Sequence, residues 1–296
     1  MTDPAATNDV WTVQRILQWT TGFLSERGVE SARLEAELLL AHARECQRIN
    51  LYTDLNVPLT DDERSRMRGY VKRRSLREPL AYITGSREFY GRDFSVGPGV
   101  LIPRPETETL IDVCLELIPE NTRADICEVG FGSGCICTTL ARQRSELQVF
   151  ATDVSPEAMT FASQNTQEHD VADRVTLLAG DGFAPLADAG VPQLHGIVSN
   201  PPYVRNDELS GLEPEVAKHE PSLALVSGAD GLDLIRRLIP EAAPLLHPGG
   251  WMALELDPAQ AATVAALFGD SGFENVKIHP DLNGQDRIVS ACRPRD

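Results

Sequence analysis

Asn200-Pro201-Pro202-Tyr203 is the segment whose residue types and order most directly imply chemistry. Two consecutive prolines fix φ near roughly −65° and remove two backbone donors, so the segment is stiff and rich in carbonyl acceptors. Asn200 adds a side-chain amide that can accept as well as donate. Such a loop suits a substrate bearing a planar NH2 group, either a carboxamide or an amino-substituted base. Read alone, the tetrad fits a proline turn closing a strand–helix connection equally well.

A second constellation lies upstream. Glu128-Val129-Gly130-Phe131-Gly132-Ser133-Gly134 sets glycines at alternate positions, which lets the backbone turn tightly and approach a ligand closely. The pattern is GxGxG, distinct from the GxGxxG that seats a pyrophosphate. Asp153 ends the next apolar run, where a carboxylate can accept both hydroxyls of a ribose; capping the helix that opens at Pro156 is its competing role. Gly180-Asp181-Gly182-Phe183 ends a third run. There Asp181 can accept the exocyclic amine of an adenine and Phe183 can cover its ring, although an acidic turn with a core phenylalanine would read the same. In this order, the four segments point to a nucleoside-containing cofactor beside an NH2-bearing substrate.

The elements that must hold these residues follow from periodicity. Apolar runs at 126–130, 148–153, 175–179, 196–199 and 251–256 read as strands, and helical patterns near 134–144, 156–167, 231–246 and 258–271 separate them. That alternation predicts an α/β fold, a doubly wound and mostly parallel sheet that binds ligands at the carboxyl ends of its strands. Runs at 276–279 and 287–291 have no helix between them and should pair antiparallel, giving seven strands. Before this region the chain reads as helical: Val13, Ile16, Leu17 and Leu24 recur at helical spacing, as do Leu34, Leu38, Leu39 and His42 after a possible Ser31 cap. A third helix should open at Thr60-Asp61-Asp62-Glu63, acidic where the helix dipole favours it. From Tyr82 the texture turns strand-like, with Phe89-Tyr90-Gly91 and Gly97-Pro98-Gly99. The expected organisation is a helical substrate-recognition domain over 1–81, a β-hairpin linker over 82–104 and a cofactor-binding domain over 105–296.

Charge narrows the partners. The formal net charge is −17 over 296 residues. The first 85 residues hold twelve charges of each sign, so the imbalance lies beyond them, at 15 basic against 32 acidic. A phosphate-gripping surface needs the opposite sign. The basic run Arg64, Arg66, Arg68, Lys72, Arg73, Arg74 and Arg77 does not share one helical face and reads as a solvated helix. No apolar run approaches the roughly 18–20 residues that span a bilayer, and the polar N-terminus lacks a secretory pattern. Cysteines 46, 114, 127, 135, 137 and 292 form no CxxC pair, as expected of reduced thiols in a cytoplasmic protein. No metal site is expected, and a monomer is the default.

With these residues in place, the chain resembles the class I S-adenosylmethionine-dependent methyltransferases, and within them the protein-(glutamine-N5) methyltransferases of the HemK type, which act on peptide chain release factors. The resemblance runs nearly full length, through Pro79-Leu80-Ala81-Tyr82-Ile83-Thr84-Gly85, Leu101-Ile102-Pro103-Arg104-Pro105-Glu106-Thr107-Glu108, Asp230-Gly231-Leu232-Asp233 and Asp281-Leu282-Asn283-Gly284-Gln285-Asp286-Arg287. It implies a Rossmann-like sheet and S-adenosylmethionine as cofactor. Gly130, Phe131, Gly132, Ser133 and Gly134 would wrap the methionine part, Asp153 the ribose, and Asp181 and Gly182 the adenine. Asn200, Pro201, Pro202 and Tyr203 would hold the glutamine of a Gly-Gly-Gln motif in class 1 release factors, with Asn200, Pro201 and Tyr203 catalytic and Asn200 also bordering the cofactor. Glu128 stands where the family commonly has Asp, Phe131 where a small residue is usual, Gly182 at an often aromatic position, and His195 at a usual Asp. The alternatives are a glutamine methyltransferase of a large-subunit ribosomal protein, an adenine-N6 DNA methyltransferase, or a non-catalytic cofactor-binding module.

Overall fold

The computed structural model describes residues 10–191 and 193–295. The chain divides into two compact units, Met1–Thr84 and Gly85–Asp296. In the first, α1 (Val13–Ser25), α2 (Ala32–Ala43), α3 (Asn50–Thr53), α4 (Asp61–Ser75) and α5 (Leu80–Thr84) surround a core built on Val13, Leu17, Leu24, Leu39, Leu40, Leu51 and Met67. α4 opens as its sequence predicts: the Thr60 hydroxyl accepts from Glu63 N–H, and the Glu63 carboxylate accepts from Thr60 N–H. Ser31 occupies the N-cap position of α2 but makes no side-chain cap bond. The apolar stripe of α2 is also shifted from the expected one. Ala32, Ala36, Leu39, Leu40 and Ala43 are buried, while Leu34 is 42% exposed, so the face that α2 buries runs through small alanines. The basic run on α4 is largely met by carboxylates: Arg64 by Asp61, Arg66 by Glu45, Arg73 by Glu78 and the buried Arg74 by Glu35.

The second unit begins with a hairpin, β1 (Ser86–Phe89) against β2 (Arg92–Ser95), followed by α6 (Thr107–Leu117). Residues 80–84 are helical, so the strand texture expected from Tyr82 starts at Ser86, and the contacts place the hairpin inside the second unit. The Tyr90 N–H donates to Glu108 (2.9 Å) and its hydroxyl to Asp112 (2.8 Å), fastening the hairpin tip to α6.

The sheet then builds as β3 (Ala124–Val129), α7 (Cys135–Gln143), β4 (Leu147–Asp153), α8 (Pro156–Glu168), β5 (Val175–Ala179), α9 (Ala184–Asp188), β6 (Leu194–Ser199), α10 (Pro214–His219), α11 (Asp233–Ala242), β7 (Leu246–Glu255), α12 (Ala261–Asp270), β8 (Glu274–Pro280) and β9 (Asp286–Cys292). Its order is β5-β4-β3-β6-β7-β9-β8, parallel except for β9, which runs antiparallel to both neighbours. This is the sheet the alternation predicts. The central strands β3 and β6 are buried nearly throughout because helices cover both faces. Gly196 on β6 is required by close approach: a Cβ there would lie 2.2 Å from the Trp251 ring of β7. Strand order reverses between β3 and β6, and the crevice at such a reversal is where this architecture binds ligands. The Ser199 hydroxyl donates to the Val129 carbonyl across it (2.6 Å), tying the two strand ends together.

Asn165 on α8 joins three parts of this unit. Its Oδ1 accepts from Ser95 N–H (2.8 Å), and its Nδ2 donates to the carbonyls of Ser95 (2.9 Å) and Ser133 (2.8 Å). The side chain is fully buried, so truncation strands backbone partners of both the hairpin and the glycine loop. Asn165→Ala should lower unfolding free energy by about 2–4 kcal/mol, read from urea midpoints. A loss below about 0.5 kcal/mol would show that the bonds do not carry the joint.

Candidate active site

A cavity of about 900 Å³ opens at the carboxyl ends of the central strands, within the range that encloses small-molecule ligands. Gly130, Phe131, Gly132, Ser133, Asp153, Asp181, Gly182, Asn200 and Pro202 line it. Gly134, Pro201 and Tyr203 stand behind that lining. Gly134 is the N-cap of α7 at φ 76°, and a Cβ on it would come within 2.9 Å of Ala162, so its role is to let α8 approach.

The loop after β3 takes its shape from left-handed backbone at Gly130 (φ 77°) and Gly132 (φ 51°), which L side chains adopt only with strain. Phe131 is buried, and its backbone N–H and carbonyl bond Thr152 and Gly134. Asp153 is held from two sides, its Oδ2 accepting from Gly132 N–H (2.9 Å) and its Oδ1 from Ser155 N–H (2.9 Å). The capping role belongs instead to Ser155, whose hydroxyl accepts from Ala158 N–H (3.1 Å). Asp153 is therefore left oriented at the cavity wall.

Glu128, the penultimate residue of β3, is buried against the same wall. Its Oε2 accepts from Cys137 N–H (2.8 Å), while Oε1 has no partner among the described residues. An orphaned carboxylate oxygen at a cavity wall is matched by a ligand ammonium. Burial pushes the Glu128 carboxyl up to about 8, with the Asp153 charge adding to the shift and the Cys137 bonds opposing it.

At the far side, Asp181 makes a two-pronged ion pair with Arg237 of α11 (2.5 Å each), which holds its carboxyl below the usual range. Gly182 lies under the same guanidinium: a Cβ there would meet Arg237 Nη2 at 3.4 Å. Phe183, expected to cover an adenine, is instead buried in the core with Leu186, Leu194 and Leu238. The cavity wall at this point includes Arg237 instead.

Asn200 closes the near side. Its Nδ2 donates to the Thr107 hydroxyl at the start of α6 (3.2 Å), so its Oδ1 is the group left for a ligand. Gln260 fixes the following residues by donating to the carbonyls of Tyr203 (3.0 Å) and Asp230 (2.9 Å). Gly231 is obligatory there, since a Cβ would fall 2.0 Å from the Tyr203 carbonyl oxygen. Glu220 braces the 101–104 segment by accepting from Ile102 N–H (3.2 Å) and from Arg104 (2.6 Å). The Tyr203 hydroxyl is 3.5 Å from Glu255 Oε1 at the end of β7. Glu255, Arg237 and Gln260 were not singled out by sequence reasoning, and Thr107 entered it only within the Leu101–Glu108 segment. For Glu255 a signal was present, a lone acid closing the apolar run from Trp251.

Comparison with known proteins decides the family. Residues 15–85 match the PrmC N-terminal domain, and residues 108–214 match the methyltransferase small domain. The release factor glutamine methyltransferase of Geobacter sulfurreducens is 44% identical over 281 residues, covering 95% of this chain and 96% of that one. The chain belongs to the release factor glutamine methyltransferase family. A second member, from Rhodopirellula baltica, is 39% identical over 95% of this chain and 96% of its own. The fold is shared with the hMettl16 catalytic domain (TM-score 0.57, 18% identity, 75% of this chain and 81% of that one). It is shared as well with a methyltransferase from Pyrococcus furiosus (TM-score 0.51, 20% identity, 70% and 91%).

The raised carboxyl of Glu128 predicts a pH signature for this family member without ligand. A folded-state value above the ordinary 4.5 means that ionisation opposes folding. The stabilising contribution is full below about 4.5 and is lost as pH rises through about 8. Glu128→Gln cannot ionise, so its stability relative to wild type should climb between pH 5 and 8.5, read from urea midpoints across that range. Parallel curves for the two proteins would exclude a buried, titrating Glu128.

Proposed function

We propose that this protein transfers a methyl group from S-adenosylmethionine to the side-chain amide nitrogen of a glutamine in peptide chain release factors. One observation carries the reading: the Asn200 amide is anchored through its nitrogen to Thr107, so an acceptor oxygen remains for an NH2 group. The cavity residues fit the cofactor. Glu128 has a spare carboxylate oxygen for an ammonium, the Gly130–Gly132 turn admits backbone approach, Asp153 suits a ribose diol, and Asp181 with Gly182 would border the adenine.

When bound, S-adenosylmethionine supplies an electrophilic methyl on a sulfonium. The protein must make a poor nucleophile reactive, because the amide nitrogen lone pair is delocalised into its carbonyl. In this reading, Asn200 Oδ1 accepts one N–H and the Pro201 carbonyl, set between the cavity-lining Asn200 and Pro202, accepts the other. Both contacts return electron density to nitrogen and fix its direction of approach. Tyr203 holds the loop through its carbonyl and hydroxyl. After transfer the nitrogen is strongly acidic, and its proton leaves without a dedicated histidine or thiol base. Competing thiols are suppressed: burial, then the Glu128 charge, pushes Cys135 at the cavity wall up to about 12, so it stays protonated. Holding two reactants in line can supply roughly 7–11 kcal/mol.

The surrounding charges support a protein rather than a nucleic-acid substrate. Arg104, Arg205, Arg236, Arg237 and Arg287 each face a carboxylate, of Glu220, Asp207, Asp230, Asp181 and Asp281 respectively. Cations already paired gain little from a phosphate.

Incubation with methyl-labelled cofactor and a release factor should place label on one glutamine nitrogen. Label found only on a ribosomal protein or on adenine would overturn the substrate assignment. Asn200→Ala should reduce transfer at least about 10³-fold while cofactor Kd changes less than about threefold. Asp153→Ala should instead weaken cofactor binding about tenfold or more by calorimetry. A release factor with Glu in place of the Gln sets a carboxylate against two acceptors, and transfer to it should fall by roughly 10⁴-fold.

A further inference from the structure

Beside Asp181 the cavity wall carries a guanidinium where an aromatic ring was expected. Gly182 holds left-handed backbone (φ 55°) and has no side chain to offer, and Phe183 turns into the core. Arg237 of α11 fills that space: its Nη2 lies 3.4 Å, and its Cζ 3.8 Å, from where a Cβ on Gly182 would stand. Both Asp181 oxygens accept from it, Oδ2 from Nη1 and Oδ1 from Nη2, at 2.5 Å each. Two parallel bonds to one carboxylate lie in the plane of the guanidinium, so the pair fixes the tilt of that plane as well as its place. The Arg237 side chain still keeps 41% exposure, and it lines the cavity.

The other planar groups of the lining are committed elsewhere. Among the described residues that line the cavity, Phe131 is the one aromatic; it is 2% exposed and belongs to the loop after β3. Arg104, the second guanidinium of the lining, bonds Glu220 and braces the 101–104 segment. The end of β4 contributes an apolar surface instead. Val154 is 49% exposed, lines the same cavity and follows Asp153, whose carbonyl accepts from Gly180 N–H (2.8 Å). Val154 and Asp181 each follow one member of that bonded pair, so they leave neighbouring strand ends side by side.

We infer that the Arg237 guanidinium, oriented by Asp181, is the platform on which the adenine of S-adenosylmethionine stacks, with Val154 the apolar surface on the neighbouring strand end. The inference rests on the cofactor reading and names the group that holds the base. A guanidinium is planar, delocalised and weakly hydrated, so it lies against a π face at little desolvation cost, and its charge is attracted to that face. Its hydrogen bonds to Asp181 use only N–H groups at the edge, which leaves the faces uncommitted. A salt bridge that merely tied α11 to the end of β5 would need the charge at position 237 and not its flat face. The two roles therefore respond differently to substitution.

Calorimetry with S-adenosylhomocysteine, which keeps the adenine and lacks the reactive methyl, reads the platform without turnover. S-ribosylhomocysteine, which has no base, reports on the rest of the site. Arg237→Ala should weaken S-adenosylhomocysteine about tenfold or more, while its Kd for S-ribosylhomocysteine stays within about twofold of wild type. Arg237→Lys keeps the charge but loses the plane, and should weaken S-adenosylhomocysteine about fivefold or more. Arg237→Trp breaks the ion pair but restores a flat face, and should hold Kd within about threefold of wild type. Equal weakening of both ligands by Arg237→Ala, wild-type affinity in Arg237→Lys, or Arg237→Trp as weak as Arg237→Ala would each overturn the inference. Wild type that does not bind S-adenosylhomocysteine overturns it together with the cofactor reading. The expected pattern of affinities without transfer to glutamine supports the platform and overturns the substrate assignment alone.

Discussion

Two carboxylates taken out of water near the ends of two parallel strands that flank β6 organise the second unit. Glu128 is the penultimate residue of β3 and Glu255 ends β7, each nearly without solvent and each with one oxygen that has no partner among the described residues. Burying such groups is expensive unless hydrogen bonds offset it. The structure supplies them from the segments that must be immobilised: the Cys137 N–H in the first turn of α7 behind the glycine loop, and the Tyr203 hydroxyl in the loop that carries Asn200. The desolvation that disfavours these acids thus draws two otherwise mobile loops onto the carboxyl edge of the sheet.

Rigidity at this edge is layered rather than local. The diproline removes torsional freedom from the loop after β6, yet prolines alone would not fix its height over the cavity. Gln260 pins the Tyr203 carbonyl from the start of α12, Gly231 lets the 228–233 segment pass beneath it, and Glu220 draws the 101–104 segment inward through Ile102 and Arg104. Asp281, accepting from the backbones of Asn283 and Gln285, shapes the β8–β9 turn in the same way. The sequence segments that carry the family resemblance are therefore divided between groups lining the cavity and groups that hold those linings in place.

How much of this was legible in the sequence depends on how far apart the cooperating residues lie. The glycine loop, Asp153 and the Asn-Pro-Pro-Tyr tetrad are short, local patterns, and the strand rhythm follows from apolar period, so the sheet and most of the cavity wall could be read directly. Glu255 acquires meaning only when the fold brings the end of β7 against Tyr203, and Thr107, although inside the Pro103–Glu108 segment, only when the start of α6 meets Asn200. Phe183 failed as a ring cover because an aromatic beside a glycine turn can point either way, and core packing decided it. Leu34 failed for a related reason: the face that α2 buries runs through small alanines, which a pattern that weighs large apolar residues alone does not register.

The reversal of strand order explains why substrate and cofactor groups can be separately tuned. Residues after β3, β4 and β5 face one side of the crevice and residues after β6 and β7 the other, with the Ser199–Val129 bond joining the two sets at the strand ends and the Asp181–Arg237 pair joining them across the cavity. In the proposed reading Glu128 sits among groups suited to a ligand ammonium, and Glu255 lies behind the tetrad that would meet an uncharged amide. Each carboxyl has hydrogen-bond partners of its own, although Cys135 lies within the field of both. In that reading a site that binds a cation on one side and rejects an anion on the other would gain from the separation, because a single shared carboxylate could not be optimised for both tasks.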